Sequence, residues 1–458
     1  MNAFAAIAVW GWVPAAVLFF AVLPARRAVL AAIIVGWLFL PMVEIQLAGL
    51  PNYGKSAATA LGALLGVLLF DAGRVMRFRP RLIDAAALGW TLVPIASSLT
   101  NGLGLYDGVG STIPVAQRWL IPYFLGRLYF SDLEGLRELA VAVFIGGLVY
   151  VPLCLYEIRM SPQLHTMFYG FHQHIFAQTY RFGGYRPTVF MQHGLGVGMW
   201  MTAASLVGVW LWRSGALRQV YGVPASWLLP VLLATTVLCK SVGALVLLVA
   251  GLGALEATKQ LRTKAAIVAL AVAPLAYIGL RTTDVWTGAS MVEAARAVAG
   301  DERAASLNFR LKNEDVLIER ALQQPVFGWG RWGRNRPEGA GDTVVTDGMW
   351  IIALGQNGVV GLTLMLAVVL WPAMRFVVRV PAGLWYHPGV GGAAALAVLL
   401  VLFTTDCLFN AIPNPVFVLA AGGVSGLRLA ANRPARSDRS AAVGQASWRQ
   451  HGYSAIRP

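Results

Sequence analysis

Apolar runs close to 20 residues long follow one another through this chain, and few folds can absorb them. A helix rises 1.5 Å per residue, so about 20 such residues cross the hydrocarbon of a bilayer. Runs of this kind lie near 3–23, 28–48, 56–72, 84–100, 113–130, 140–157, 192–212, 226–239, 242–257, 265–281, 349–372, 390–408 and 415–431. The expectation is an all-α polytopic membrane protein with about 12–14 spans, 13 on this count. Only 12% of residues are charged, about half the share in a soluble domain. A soluble protein with an unusually apolar core could not accommodate so many runs.

A net charge of +15 would point to nucleic acid if the bases were clustered. They are not. Arg26, Arg27, Arg74, Arg77, Arg79, Arg81, Arg213, Arg218, Lys259, Arg262, Lys264, Arg375 and Arg379 sit in short connections between runs. That is the positive-inside pattern, which puts the N-terminus outside and the C-terminus inside. Membrane lipids, not nucleic acid, are the expected surroundings. Cys154, Cys239 and Cys407 lie in or beside apolar runs, with neither metal-ligand spacing nor a disulfide framework. No repeat or heptad stands out. Residues 1–281 hold the first ten spans, 282–348 a large loop, and 349–431 the last three. Residues 432–458 read as a basic, disordered cytoplasmic tail. No cleavable signal is expected, because the first run is followed by another rather than by a soluble domain.

Two outer loops carry the chemistry. The first, 158–191, is densely aromatic and holds Arg159, Arg181 and Arg186 without one acid. An interfacial belt explains the rings. Arginines on the side where they should be scarce fit an anionic ligand instead, the guanidinium fork matching phosphate oxygens. The second loop, 282–348, holds ten of the chain's 21 acids and eight bases. Within it, SLNFRLKNEDVLIERALQQP reads as an amphipathic helix with Leu307, Leu311, Ile318 and Leu322 on one face and Arg310 placed to pair with Glu314. Pro325 ends it, and the glycine-rich VFGWGRWGRNRPEG follows. A partly helical loop of this length is usually functional.

Three stretches together resemble the O-antigen ligase and O-antigen polymerase family, membrane glycosyltransferases of the bacterial inner membrane. The first is Arg310 on its helix followed by PVFGWG. The second is Asp347, Gly348, Gly358 and Gly361 at the family's spacing of a histidine, a small residue and two glycines. The third is GGYRPTVFMQHG, whose arginine is Arg186. Two positions depart from the family. Asp347 stands where the ligases have histidine, and KSVG replaces a Ser-Arg-Gly turn, so that Lys240 would supply the charge. Peptidoglycan polymerases of the SEDS type, similar in overall build, also use an outer-loop aspartate.

The resemblance implies a multi-pass inner-membrane enzyme with its active site facing the periplasm. Its donor would be an undecaprenyl-pyrophosphate-linked glycan, and its acceptor lipid A–core or another lipid-linked glycan. A chain-length regulator or other polysaccharide-assembly proteins would be partners; no cofactor or metal is expected. Asp347 would be the base. Arg186, Lys240 and Arg310 would bind the pyrophosphate and glycan, joined by Arg118, Arg331, Arg334 and His193, the last also a fallback for the missing histidine. A free aspartate, with a pKa of about 3.9 against about 6.5 for histidine, is the weaker base. It suffices if the proton leaves late, as in transfer through a cation-like sugar.

Blander roles compete. Asp347 or Thr346 could cap the helix from 349, and Arg310 could pair only with Glu314. Arg127 is expected to extend toward the cytoplasmic surface. Glu44 and Asp406 read as interhelical partners, and His172 and His174 as hydrogen-bonding residues. A transporter or flippase of the same lipid-linked sugars is the alternative class, though its usual repeats and broken mid-membrane helices are not visible in the sequence.

Overall fold

The computed structural model describes residues 1–337, 344 and 346–428, so the expected tail at 432–458 lies outside the described residues. Leaving aside the short helices Ala72–Met76 and Leu164–Tyr169, the first ten are α1 (Ala3–Val22), α2 (25–39), α3 (Lys55–Phe70), α4 (Leu82–Thr100), α5 (104–129), α6 (Leu133–Met160), α7 (Gly194–Arg213), α8 (Ala225–Leu238), α9 (Val242–Leu261) and α10 (Ala265–Thr282). α11 (Ala289–Ala299) and α12 (Asp301–Leu322) belong to the long excursion after α10, and α13 (Met349–Arg379), α14 (Pro388–Asp406) and α15 (Pro415–Gly426) follow. Among the described residues, eight helices are long and apolar enough to cross a membrane: α1, α4, α6, α7, α9, α10, α13 and α14. α3, α8 and α15 are shorter apolar helices. This is the make-up of an all-α, multi-pass membrane protein. Strand among the described residues is confined to three two-stranded hairpins.

Burial sorts the helices. α1 buries Ala5, Val9, Ala16 and Phe20 along one stripe and leaves Phe4, Ile7, Trp10 and Leu18 exposed. A helix apolar all round but packed on one side belongs at a lipid-facing rim. α7 and α14 are buried almost throughout and form the centre. In lipid, helices associate through close van der Waals packing rather than hydrophobic drive, which favours small residues. α5 and α15 show this. A Cβ on Gly126 would overlap the Leu419 carbonyl, and one on Gly422 the Tyr123 carbonyl, so the two backbones touch.

Two expectations need correction. The run at 28–48 is not one helix: α2 stops at Phe39, and Glu44–Leu47 pairs with Leu50–Gly54 as an antiparallel hairpin. Leu40 precedes Pro41 and takes extended backbone (ψ 149°), as crowding by the proline ring demands. Arg127 does not reach for a membrane surface. It is buried, donating from Nε and Nη2 to the two oxygens of Asp84 at 2.6 and 2.9 Å, a fork that ties α5 to α4.

Candidate functional site

Two excursions leave the bundle, 161–193 between α6 and α7 and 283–348 between α10 and α13. The first is anchored from below by Glu157, the buried acid near the end of α6. Its carboxylate accepts from the amides of Leu164, Thr188 and Val189 at 2.9, 2.8 and 2.7 Å, gathering both ends of the loop. Val189 is held in the left-handed region (φ 49°), uncommon for a β-branched residue. Lys55 adds a bond from Nζ to the Phe190 carbonyl at 2.8 Å. These anchors come from distant elements, and no motif in the sequence marks them.

His165 is locked in one tautomer. Nδ1–H donates to the Phe171 carbonyl at 2.8 Å, while Nε2 accepts from the Met42 amide at 3.1 Å. Burial pushes its pKa down to about 4, against about 6.5 in an unfolded chain. The folded form therefore favours the neutral ring. That contribution is complete above pH ~6.5 and is lost as pH falls through ~4. The thermal midpoint of the purified protein should fall between pH 6.5 and 4, and less steeply for His165→Gln. Equal slopes would mean that His165 does not couple protonation to folding.

Arg186 follows a short hairpin in the same loop and is buried, with Nη2 donating to the Lys240 carbonyl at 3.1 Å. Lys240 turns the chain between α8 and α9 in a left-handed conformation (φ 52°), and its ammonium donates to the Phe182 carbonyl at 3.2 Å. His193 caps α7, its Nδ1 accepting from the Leu195 amide at 3.0 Å while Nε2–H faces Gln178 Oε1 at 3.3 Å. Burial, then the charges of His174, Arg186, Arg181 and Arg310, push His193 down to about 3. A neutral ring whose lone pair is already engaged is a poor proton acceptor. Arg310, the last of these charges, comes from the second excursion.

In that second excursion Arg310, on α12, lies with Nε 3.3 Å from Asp347 Oδ2, both side chains about one-third exposed (32% and 34%). The expected pair of Arg310 with Glu314 is not the arrangement. Glu314 is buried, takes the Tyr277 hydroxyl at 2.6 Å, and lies 3.5 Å from Arg281 Nε. Burial raises its pKa. Arg281 also reaches Asp315 Oδ1 at 2.8 Å and the Leu311 carbonyl at 2.9 Å, so α12 is bolted to α10 one turn beyond Arg310. Nor does Asp347 cap α13. The cap is Gly348, with no side-chain bond, and the amides of Met349 and Trp350 donate to the Cys407 carbonyl at 2.9 and 3.3 Å. Among the described contacts, Asp347 pairs with Arg310.

The glycines after Asp347 have a structural part. α13 breaks at Gly358 (φ 65°, ψ −169°), and PVFGWG at 325–330 lies in the break. Val359 donates to the Pro325 carbonyl at 2.7 Å, Trp329 to Gly355 at 2.9 Å, and Gly330 to Gln356 at 2.8 Å. Gly328 (φ 66°) faces Gly358's own turn, and a Cβ on it would sit 2.6 Å from the Asn357 nitrogen. The broken helix that sequence reading did not find is here, and it carries the excursion's end to Asp347.

The remaining expected ligands have separate partners among the described contacts. Arg118 is 3.7 Å from Glu44, which also accepts from Asn52 at 3.1 Å. Arg331 is 3.9 Å from Asp107. Arg334 donates to the Trp329 carbonyl at 3.1 Å. Asp406, expected between helices, accepts from Asn410 four residues on at 2.6 Å. Compared with known proteins, the chain matches no family model and no curated protein.

Proposed function

We propose that this multi-pass membrane protein is a glycosyltransferase of the O-antigen polymerase or ligase type, acting on a polyprenyl-pyrophosphate-linked glycan at the periplasmic face of a bacterial inner membrane. The reading takes the apolar helices as spans and both excursions as outward-facing. The observation that carries it is the Arg310–Asp347 pair at 3.3 Å; Arg310 also shares with Arg186 and Arg181 the field that acts on His193, and Arg186 binds the Lys240 carbonyl. A carboxylate next to clustered arginines suits a reaction that moves a proton and releases a polyanion.

In that reaction an acceptor sugar hydroxyl attacks the donor's anomeric carbon, a C–O bond forms, and the bond to pyrophosphate breaks. Asp347 receives the hydroxyl proton. Arg186, Lys240 and Arg310 offset charge on the departing pyrophosphate and fix its position. Arg310 also orients Asp347. His193, neutral and engaged, contributes hydrogen bonds rather than proton transfer.

The test is surface polysaccharide from a deletion strain complemented with wild type, Asp347→Asn or Arg186→Ala, resolved by size, with membrane levels of each variant measured. Removing a general base typically costs 10²–10⁴-fold, so Asp347→Asn should yield single repeats or no polymer. Arg186→Ala should do the same while present in the membrane at wild-type level. Normal-length glycan from Asp347→Asn would overturn the assignment.

A further inference from the structure

Several arginines at the helix ends that the positive-inside pattern assigns to the cytoplasm are matched by acids. Arg26 meets Asp132 at 2.8 Å and Glu138 at 3.2 Å, Arg74 meets Asp71 at 3.0 Å, and Arg213 meets Glu256 at 2.8 Å. The C-terminal end of α13 is different. Arg375 donates from Nη1 to the Ser425 carbonyl at 2.7 Å and meets no acid among the described contacts. Arg379, one turn further on, is exposed, and the described ion pairs do not include it.

Other cations reach the same place. The first turn of α4, Leu82–Asp84, packs against α13 and brings Arg81 with it. The one acid of that turn is fully engaged. Asp84 accepts from Arg127 Nε and Nη2 at 2.6 and 2.9 Å, from the Arg81 amide at 2.8 Å and from the Tyr123 hydroxyl at 2.9 Å. That hydroxyl also lies 2.9 Å from Ser425 Oγ, on the residue whose carbonyl holds Arg375. From the connection between α9 and α10, Lys264 donates to the Val378 carbonyl at 3.3 Å, one residue before Arg379. The charges of Arg379, Arg81 and Arg127 all act on Arg375. Like charges gathered in this way repel, and one saturated carboxylate does not balance them.

An anion from outside the chain would balance them, and the surroundings indicate its kind. Leu82, beside Arg81, is 79% exposed, and Val378, beside Arg379, is 73% exposed. Cations fringed by bare apolar side chains at the end of a span suit an anion that carries hydrocarbon. Basic sites between helices on the cytoplasmic side take phospholipid headgroups for this reason. Lys264, Arg375 and Arg379 together carry more charge than a single phosphodiester neutralises.

We propose that Arg81, Lys264, Arg375 and Arg379 form a site for an anionic phospholipid whose headgroup carries two phosphates, its acyl chains lying along Leu82 and Val378. The site does not depend on the glycosyl-transfer reading. It lies at the opposite end of α13 from Asp347.

The test is native mass spectrometry of the full chain in nonionic detergent, titrated with cardiolipin, phosphatidylglycerol or phosphatidylcholine. Inorganic pyrophosphate serves as the water-soluble competitor. Wild type should bind one cardiolipin more tightly than phosphatidylglycerol, and phosphatidylcholine weakest of all. Each cation at a membrane surface changes affinity by about fivefold, so Arg375→Gln with Arg379→Gln should weaken cardiolipin ~30-fold. Arg375→Lys with Arg379→Lys keeps the charge and should stay within a few-fold of wild type, which separates lost charge from lost fold. Arg27→Gln with Arg218→Gln removes the same charge from exposed positions elsewhere and should change little. Equal weakening by the two glutamine pairs would mean diffuse attraction to a basic face and would overturn the site. A lysine pair as weak as the glutamine pair at the same positions would do so too. Phosphatidylglycerol binding as tightly as cardiolipin would end the two-phosphate assignment. Displacement of cardiolipin by equimolar pyrophosphate would make this a site for a soluble anion and end the lipid assignment.

Discussion

Gly358→Ala is expected to unfold the junction between α13 and the second excursion and to remove most of the folded protein from the membrane. Its backbone (φ 65°, ψ −169°) lies in a region open almost only to glycine, at a cost of ~1–3 kcal/mol for any other residue. A methyl group there would also overlap the Val326 carbonyl and sit 2.6 Å from the Phe327 nitrogen. Both obstacles are backbone, which cannot rotate aside. Making room would separate the strap 325–330 from the break and strand the bonds at Pro325, Gly355 and Gln356. The combined loss should exceed ~3 kcal/mol, since buried backbone groups left unpaired add their own penalty. Gly253→Ala is the matched control. It lies inside α9 with nothing within 4 Å of a new Cβ, so it should be neutral or slightly stabilising. Equal thermal midpoints and equal protease resistance of residues 325–348 in the two variants would refute this account.

That junction also shows where sequence reading stopped. Run length alone locates the apolar helices, because the bilayer imposes one length on every span. The spacing from Asp347 to Gly358 and Gly361 was visible, but not the reason for it. The reason is contact with residues 325–330, and neither segment implies the other without the fold. The competing roles of Asp347 and Arg310 were likewise undecidable locally. Capping failed because the carbonyl of Cys407, just past the end of α14, already takes the first amides of α13. The Arg310–Glu314 pair failed because Tyr277 and Arg281 claim the glutamate first. The π turns within α2 (Ala31–Val35) and α5 (Ala116–Leu120) have no sequence signal that we can name. Pro41 did mark the end of α2, and the hydrophobicity of the run obscured it.

Arg310→Gln is expected to lower glycan output by about as much as Asp347→Asn, and the double variant to fall no further than the worse single one. Arg310 Nε holds Asp347 Oδ2 at 3.3 Å, so either substitution breaks the same unit, and losses within a unit do not add. Independent roles would instead multiply. Taking ~10² for the loss at each position, the low end for a base, independence predicts ~10⁴ for the double variant. The difference is readable in polymer synthesised per unit of membrane protein. Stability should not produce this pattern. The pair is one-third exposed, and an exposed ion pair contributes only ~0–1 kcal/mol, while α12 stays fixed to α10 through Arg281 and Glu314. Arg310→Lys discriminates further: lysine keeps the charge but loses the planar fork that orients a carboxylate and grips pyrophosphate oxygens. If charge alone matters, Arg310→Lys will restore most of the output. If orientation matters, as the geometry around Asp347 indicates, it will remain close to Arg310→Gln.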